Sequence, residues 1–262
     1  MFKAFNLQLD KIEEDCTNSD GEYLNIMRDQ RKLITDKINQ FRRPDGYFDG
    51  TMMRSGWFPN IPGEIDVFIS HSHNDEKAAI ALASFLYDEF RLVSFIDSLV
   101  WNNSAKLLKL IDDEFCKNDD RETYDYTLRN QSTSHVYMML TVALAEMIDR
   151  CECLFFLNTP ESITPYDSVQ EGTVSPWIFS ELSMSKLVRN KLPHEHRPID
   201  NWMKKAFESR DDSAYAMILH KLPTEHLIRL TGEDIRLWSR MFDGKQVHAL
   251  DILYEVKRIH NG

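Results

Sequence analysis

The chain has 262 residues, of which 42% are apolar, and a formal net charge of -11 from 31 Lys and Arg against 42 Asp and Glu. That acidic balance excludes a general nucleic-acid binder, which needs clustered basic side chains. No apolar run approaches the roughly 20 residues that span a bilayer, which excludes a membrane helix.

The N-terminal residues Met1 to Asp10 lack the apolar core of a secretory leader. Cys16, Cys116, Cys151 and Cys153 make no disulfide framework, and Cys151-Glu152-Cys153 leads into an apolar run. Buried free thiols in a reducing, cytoplasmic protein are therefore expected. Residues 1–20 are polar and are expected to be loosely ordered. Leu24, Ile26, Met27, Leu33, Ile34, Ile38 and Phe41 recur near the helical period and predict a helix over 21–41, ended by Arg43-Pro44. Turns at Asp45-Gly46 and Asp49-Gly50 frame Tyr47, Phe48, Met52, Met53, Trp57 and Phe58, which are apolar enough to pack on a larger body. Residues 1–64 are thus expected as an N-terminal helix and aromatic-rich extension.

From residue 65 the pattern alternates strand and helix. Residues 65–70 read as a β-branched and aromatic strand, 75–89 as an amphipathic helix with acidic residues in its first turn, and 92–96 as a second strand. A helix begins near Ser104, and 112–133 reads as a polar surface insertion. Residues 135–149 predict an amphipathic helix, and Cys153 to Leu157 a strand apolar throughout, as at the centre of a parallel sheet. Ser175 and Pro176 give a cap hydroxyl and a first-turn proline to a helix that places Trp177 and Glu181 on one face. Further on, 202–209 is expected to be helical, 215–219 and 226–230 are candidate strands, and 247–259 a closing helix. The expected fold is α/β: a flavodoxin-like, doubly wound parallel sheet of about five strands over 65–262.

In such a sheet the ligand site lies outside the carboxyl ends of the strands. Ser70 and His71 end the first strand, Asp97 and Trp101 follow the second, and Glu181 lies on the helix that follows the third. A carboxylate within an apolar run is costly unless it is used, so Glu181 is the candidate catalytic group. Trp101 and Trp177 could stack on an aromatic ring or pack in the core. His71 and His73 face the same way, but no partner cluster has ligand spacing, so no metal is expected. Phosphate-loop and Gly-x-Ser-x-Gly motifs are absent.

Three segments carry a family resemblance. Asp66-Val-Phe-Ile-Ser-His-Ser72 resembles the opening strand of Toll/interleukin-1 receptor (TIR) domains. Phe95-Ile-Asp97 with Trp101 is similar to their second-strand segment. Leu154-Phe-Phe-Leu-Asn-Thr-Pro160 followed by Ser175-Pro-Trp-Ile-Phe-Ser-Glu-Leu182 resembles their third strand and the helix that bears a glutamate after a tryptophan. The matches fall in order over residues 65–190. Asn102-Asn103-Ser104 stands where that family often has a glycine.

The resemblance implies a flavodoxin-like fold and, as in bacterial Thoeris-like defence members, cleavage of NAD at the nicotinamide–ribose bond. NAD would be substrate rather than cofactor, and the product ADP-ribose or a cyclic ADP-ribose signal read by a downstream effector. The catalytic glutamate maps onto Glu181, and Phe68, Ser70, His71 and Asp97 map onto the pocket rim. Trp101, Ser104 and Trp177 complete the expected substrate-binding set. Self-association through TIR surfaces is expected. The alternatives are a non-catalytic TIR scaffold, or another enzyme of this fold that transfers nucleoside or nucleotide glycosyl groups.

Overall fold

The computed structural model describes residues 1–8, 23, 25, 27, 38–60, 63–101, 104–118, 122–165, 171–197, 206–207, 220–221, 223–244 and 247–259. In chain order, strand β1 is Lys3–Gln8, helix α1 is Gly50–Trp57 and β2 is Phe58–Asn60. Then come β3 (Val67–Ser70), α2 (Glu76–Phe90), β4 (Ser94–Phe95), the single turn α3 (Asp97–Val100) and α4 (Ser104–Phe115). Helix α5 (Tyr126–Arg150) leads into β5 (Cys153–Leu157), β6 (Thr164–Pro165), β7 (Glu171–Thr173) and α6 (Pro176–Leu187). The chain closes with α7 (Pro193–His196), β8 (Ala206–Phe207), β9 (His220–Lys221), β10 (Ile228–Thr231), α8 (Gly232–Met241) and α9 (Ala249–Val256).

Five strands form one parallel sheet in the order β10-β1-β5-β3-β4. Every residue of β3 and β5 is buried. A parallel strand covered on both faces reads as a continuous apolar run, and Cys-Leu-Phe-Phe-Leu in β5 does so. The helices fall into two packed groups. In one, Phe90 of α2 stacks on Trp238 of α8 with centroids 3.9 Å apart, and Trp238 Nε1 donates to the carbonyl of Ala249 at 2.8 Å. In the other, α5 packs against α1, α4 and α6.

The order is flavodoxin-like, with one substitution of chain for chain. Counted from β3, the sheet runs second, first, third, and then the N-terminal strand occupies the fourth place before β10 completes it. Lys3 to Leu7 pair in register with Cys153 to Leu157, and Phe5 to Gln8 with Ile228 to Thr231. The loosely ordered N-terminus expected over residues 1–20 is therefore corrected for residues 3–8, which lie inside the sheet rather than in an extension of it. Phe5 and Leu7 are buried, while Lys3, Asn6 and Gln8 keep partial exposure. This mixed pattern hides the strand from a search for apolar runs.

Other expectations shift as well. The polar stretch 112–133 is helical at both ends, which belong to α4 and α5, with 116–125 between them. Asp112 is buried there because Ser132 Oγ donates to it at 2.7 Å and Arg129 Nε at 2.8 Å. Ala206–Phe207, expected in a helix, instead pair antiparallel with β2. The candidate strand 215–219 lies outside the described residues, as does most of the helix expected over 21–41. Tyr23 and Met27 of that stretch are helical and buried, and Tyr23 donates to the Ser94 carbonyl at 3.0 Å. Helix α8 lies outside the predicted elements, although Thr231 and Asp234 form a capping box at its start. The residues of the aromatic stretch near 50 do pack inward: Phe41, Met53, Trp57 and Phe58 join the core.

Candidate functional site

The crossover from β3 through α2 leads to β4 on one side, whereas β5 pairs on the other side of β3. The winding direction therefore reverses between β3 and β5, and it is outside the carboxyl ends of strands at such a reversal that open α/β sheets place a ligand crevice. Ser70 is the last residue of β3, Asp97 begins α3 just after β4, and α6 follows β5.

Local sequence sets α6 in place. Ser175 caps it by accepting from Ile178 N at 3.3 Å, and Pro176 fills the first position, where no N–H is needed. The helix buries Ile178, Glu181, Leu182 and Ser185. Glu181 is only 4% exposed, and Ser70 Oγ donates to its Oε2 at 2.6 Å. Burial holds the Glu181 carboxyl well above the usual carboxylate range; the negative charge of Asp97 adds to that, and the Ser70 hydroxyl opposes it.

His71 and Ser98 join the exits of β3 and β4. His71 Nε2 lies 3.4 Å from Ser98 Oγ, and its Nδ1 lies 3.4 Å from the Ile69 carbonyl. Asp97 Oδ1 accepts from Ser98 N at 2.8 Å. The structure thus brings Ser70, His71, Asp97 and Glu181 together, as the strand-end argument expects.

Two of the three aromatic candidates, Phe68 and Trp101, are buried in the core. Phe68 is 1% exposed and packs on Phe95 with centroids 5.4 Å apart. It shares the face of Ser70 but sits two residues deeper along the strand. Trp101 is 2% exposed and lies edge-on to Phe95 at 4.9 Å and to Phe58 at 6.0 Å. Both are corrected from substrate-binding to core positions: their rings have no free face on which a ligand could stack. Trp177 is half-buried, with its ring 5.8 Å from that of Tyr137 on α5. Ser104 opens α4, and its side chain lies outside the described residues.

Sequence reasoning also passed over a second polar cluster at the same end of the sheet. Thr159 Oγ1 and Ser162 Oγ donate to Asp75 Oδ2 at 2.6 and 3.0 Å, and Asn74 Nδ2 donates to Glu161 Oε2 at 2.7 Å. Asn158-Thr159-Pro160 enters the sequence reading only as the end of the third resembling segment. The density of small polar residues after an apolar strand was the signal available.

Among the described residues, no helix is long and apolar enough to cross a membrane. No protein-family model, curated protein or solved structure matches the chain.

Proposed function

We propose that the chain is a TIR-type enzyme that cleaves NAD at the bond between nicotinamide and ribose. The observation that carries this reading is the buried Glu181 carboxyl, held by Ser70 at the reversal point of a flavodoxin-like sheet. The resemblance of the three ordered segments adds the substrate.

The chemistry follows from charge. The glycosidic electron pair leaves with the ring, which departs as neutral nicotinamide, so no general acid is needed. Positive charge grows on the ribose as the bond breaks, and a carboxylate beside the sugar stabilises it. Burial and Asp97 favour the protonated form of Glu181, and arrival of the cationic pyridinium favours loss of that proton. Ser70 orients the carboxyl, while Asp97 contributes negative potential. Water then attacks the anomeric carbon, loses a proton and gives ADP-ribose. Attack by an atom elsewhere in the same nucleotide gives a cyclic product. Such a product would act on a separate effector in a cytoplasmic, bacterial anti-phage pathway.

The test incubates the full chain with NAD and follows nicotinamide release and product identity beside Glu181→Gln. The expected result is release by the wild type and a loss of about a hundredfold or more in the variant. Equal turnover by the two would remove Glu181 from the mechanism.

A second reading, a TIR scaffold without catalysis, draws on helix α5. Residues 130–145 carry no Asp, Glu, Lys or Arg, and Leu128, Met138 and Val142 are exposed. A charge-free stripe in a chain of net charge -11 is where a second copy could approach with least repulsion. Self-association with no nicotinamide release would favour this reading.

A further inference from the structure

Asp75 stands at the N-terminal boundary of α2, where an Asp side chain normally accepts from the helix's own free N–H groups. It makes no such bond. Its carboxylate turns instead to a turn 84 residues away, where Oδ2 accepts from Thr159 Oγ1 at 2.6 Å and from Ser162 Oγ at 3.0 Å. That turn is organised around Thr159: Ser162 N and Ile163 N donate to its carbonyl at 3.1 Å, and Glu161 N and Ser162 N approach its Oγ1 at 3.2 Å. Ser162 is 1% exposed. The neighbouring pair, Asn74 and Glu161, repeats the link one residue to the side.

The two segments tied in this way are the exits of β3 and β5, the strands between which the winding reverses. Ser70, at the exit of β3, is tied in turn to Glu181 of α6, the helix that follows β5, β6 and β7. Beyond the latched turn, the chain runs through β6 and β7 to Ser175, the cap of the helix that carries Glu181.

We infer that Asp75 is a positioning residue, which latches the turn after β5 to the exit of β3 and so fixes one wall of the nucleotide crevice served by Glu181. The inference rests on the NAD-cleaving reading for its substrate, but not for the latch itself. A carboxylate that accepts two hydroxyl bonds holds the turn more firmly than neutral partners would. A preset wall lowers the ordering cost of binding, so its loss appears in KM before it appears in kcat.

The experiment compares Asp75→Ala, Thr159→Val and Thr159→Ser in the full chain. It reads amide hydrogen exchange at Glu161, Ser162 and Ile163, together with kcat and KM for NAD. Asp75→Ala and Thr159→Val are expected to speed exchange and to raise KM about tenfold, with kcat changed less than about threefold. Thr159→Ser, which keeps the hydroxyl, is expected to behave as wild type. The Asp75→Ala, Thr159→Val double variant is expected to lose less than the sum of the two singles, because the Asp75–Thr159 bond is removed in both. Wild-type KM in Asp75→Ala, or a loss in kcat alone, would overturn the positioning role. A wild-type protein that releases no nicotinamide would overturn the NAD reading and the substrate half of this inference. The latch would then be judged by exchange, and unchanged rates in Asp75→Ala would overturn it.

Discussion

Ser70 and Glu181, 111 residues apart in the chain, meet through a 2.6 Å hydrogen bond at the point where the sheet changes winding direction. The bond supports one oxygen of a carboxyl that burial and Asp97 both push toward its neutral form. On the proposed mechanism this site trades stability for reactivity, because the ionised form that would stabilise the ribose cation is the one the fold disfavours.

That conflict has a measurable sign. The folded pKa of Glu181 lies above its unfolded value of about 4.5, so the native state holds the extra proton between those two values. Stability contributed by the group is complete below the unfolded pKa and is lost as pH rises through the folded one. Gln keeps the neutral shape at every pH and can still accept from Ser70. Glu181→Gln is therefore expected to melt a few degrees above wild type at pH 8, with the gap closing below about pH 4. Thermal melts across that range check it. A variant less stable than wild type at pH 8 would mean that the carboxylate is the favoured form in the fold.

The rate should carry the same signature in reverse. On the proposed mechanism cleavage needs the carboxylate, so kcat/KM for NAD is expected to climb with pH as Glu181 ionises in the free protein. Asp97→Asn removes a repelling charge, so Glu181 gives up its proton more readily and the rising limb moves to lower pH. The plateau falls as well, since a negative group near the developing cation is lost. Profiles from pH 5 to 9 check this, and a limb that stays fixed or moves upward contradicts the coupling.

What was legible in the sequence was local or topological. The β5 run and the Ser175-Pro176 helix start are set by nearest neighbours and stand where expected. The meeting of Ser70, His71, Asp97 and Glu181 follows from strand order, since residues just past the carboxyl ends of adjacent strands converge. The orientation of the aromatic rings was not legible. Trp101 turns inward because Phe95 and Phe58 form a slot for it, and Phe58 comes from a segment with no sequence link to that slot. The place of β1 was equally hidden: a six-residue strand with Lys, Asn and Gln among its residues gains its position from partners about 150 and 220 residues away.

That position makes a sharp mutational test. Phe5 is fully buried between β5 and β10, with its ring 5.4 Å from that of Phe155 and nearly perpendicular to it. Phe5→Ala is expected to cost about 3–5 kcal/mol, the range for a large ring removed from a core that cannot fully collapse. Denaturant titration measures it. A change below about 0.5 kcal/mol, ordinary for a surface site, would return residues 3–8 to a peripheral extension.

At the opposite end of β5 lies a buried ionic cluster whose energetics differ from those of the crevice. Glu152 is 1% exposed and accepts from Arg197 Nε at 2.7 Å, from Arg197 Nη2 and from the Tyr254 hydroxyl at 2.6 Å, while Arg197 Nη1 donates to Asp251 at 2.8 Å. Burial pulls the Arg197 pKa down, but the two carboxylates more than offset it, so the guanidinium stays charged. Removing the cation alone strands a carboxylate in the interior, so Arg197→Met is expected to destabilise by about 3 kcal/mol. Adding Glu152→Gln removes the stranded charge and leaves the Tyr254 hydroxyl an acceptor. The double variant is expected to recover a large part of the loss, and a double-mutant cycle in denaturant measures the coupling. Simple addition of the two single losses would show that the pair is not electrostatically linked and that Arg197 acts through packing alone.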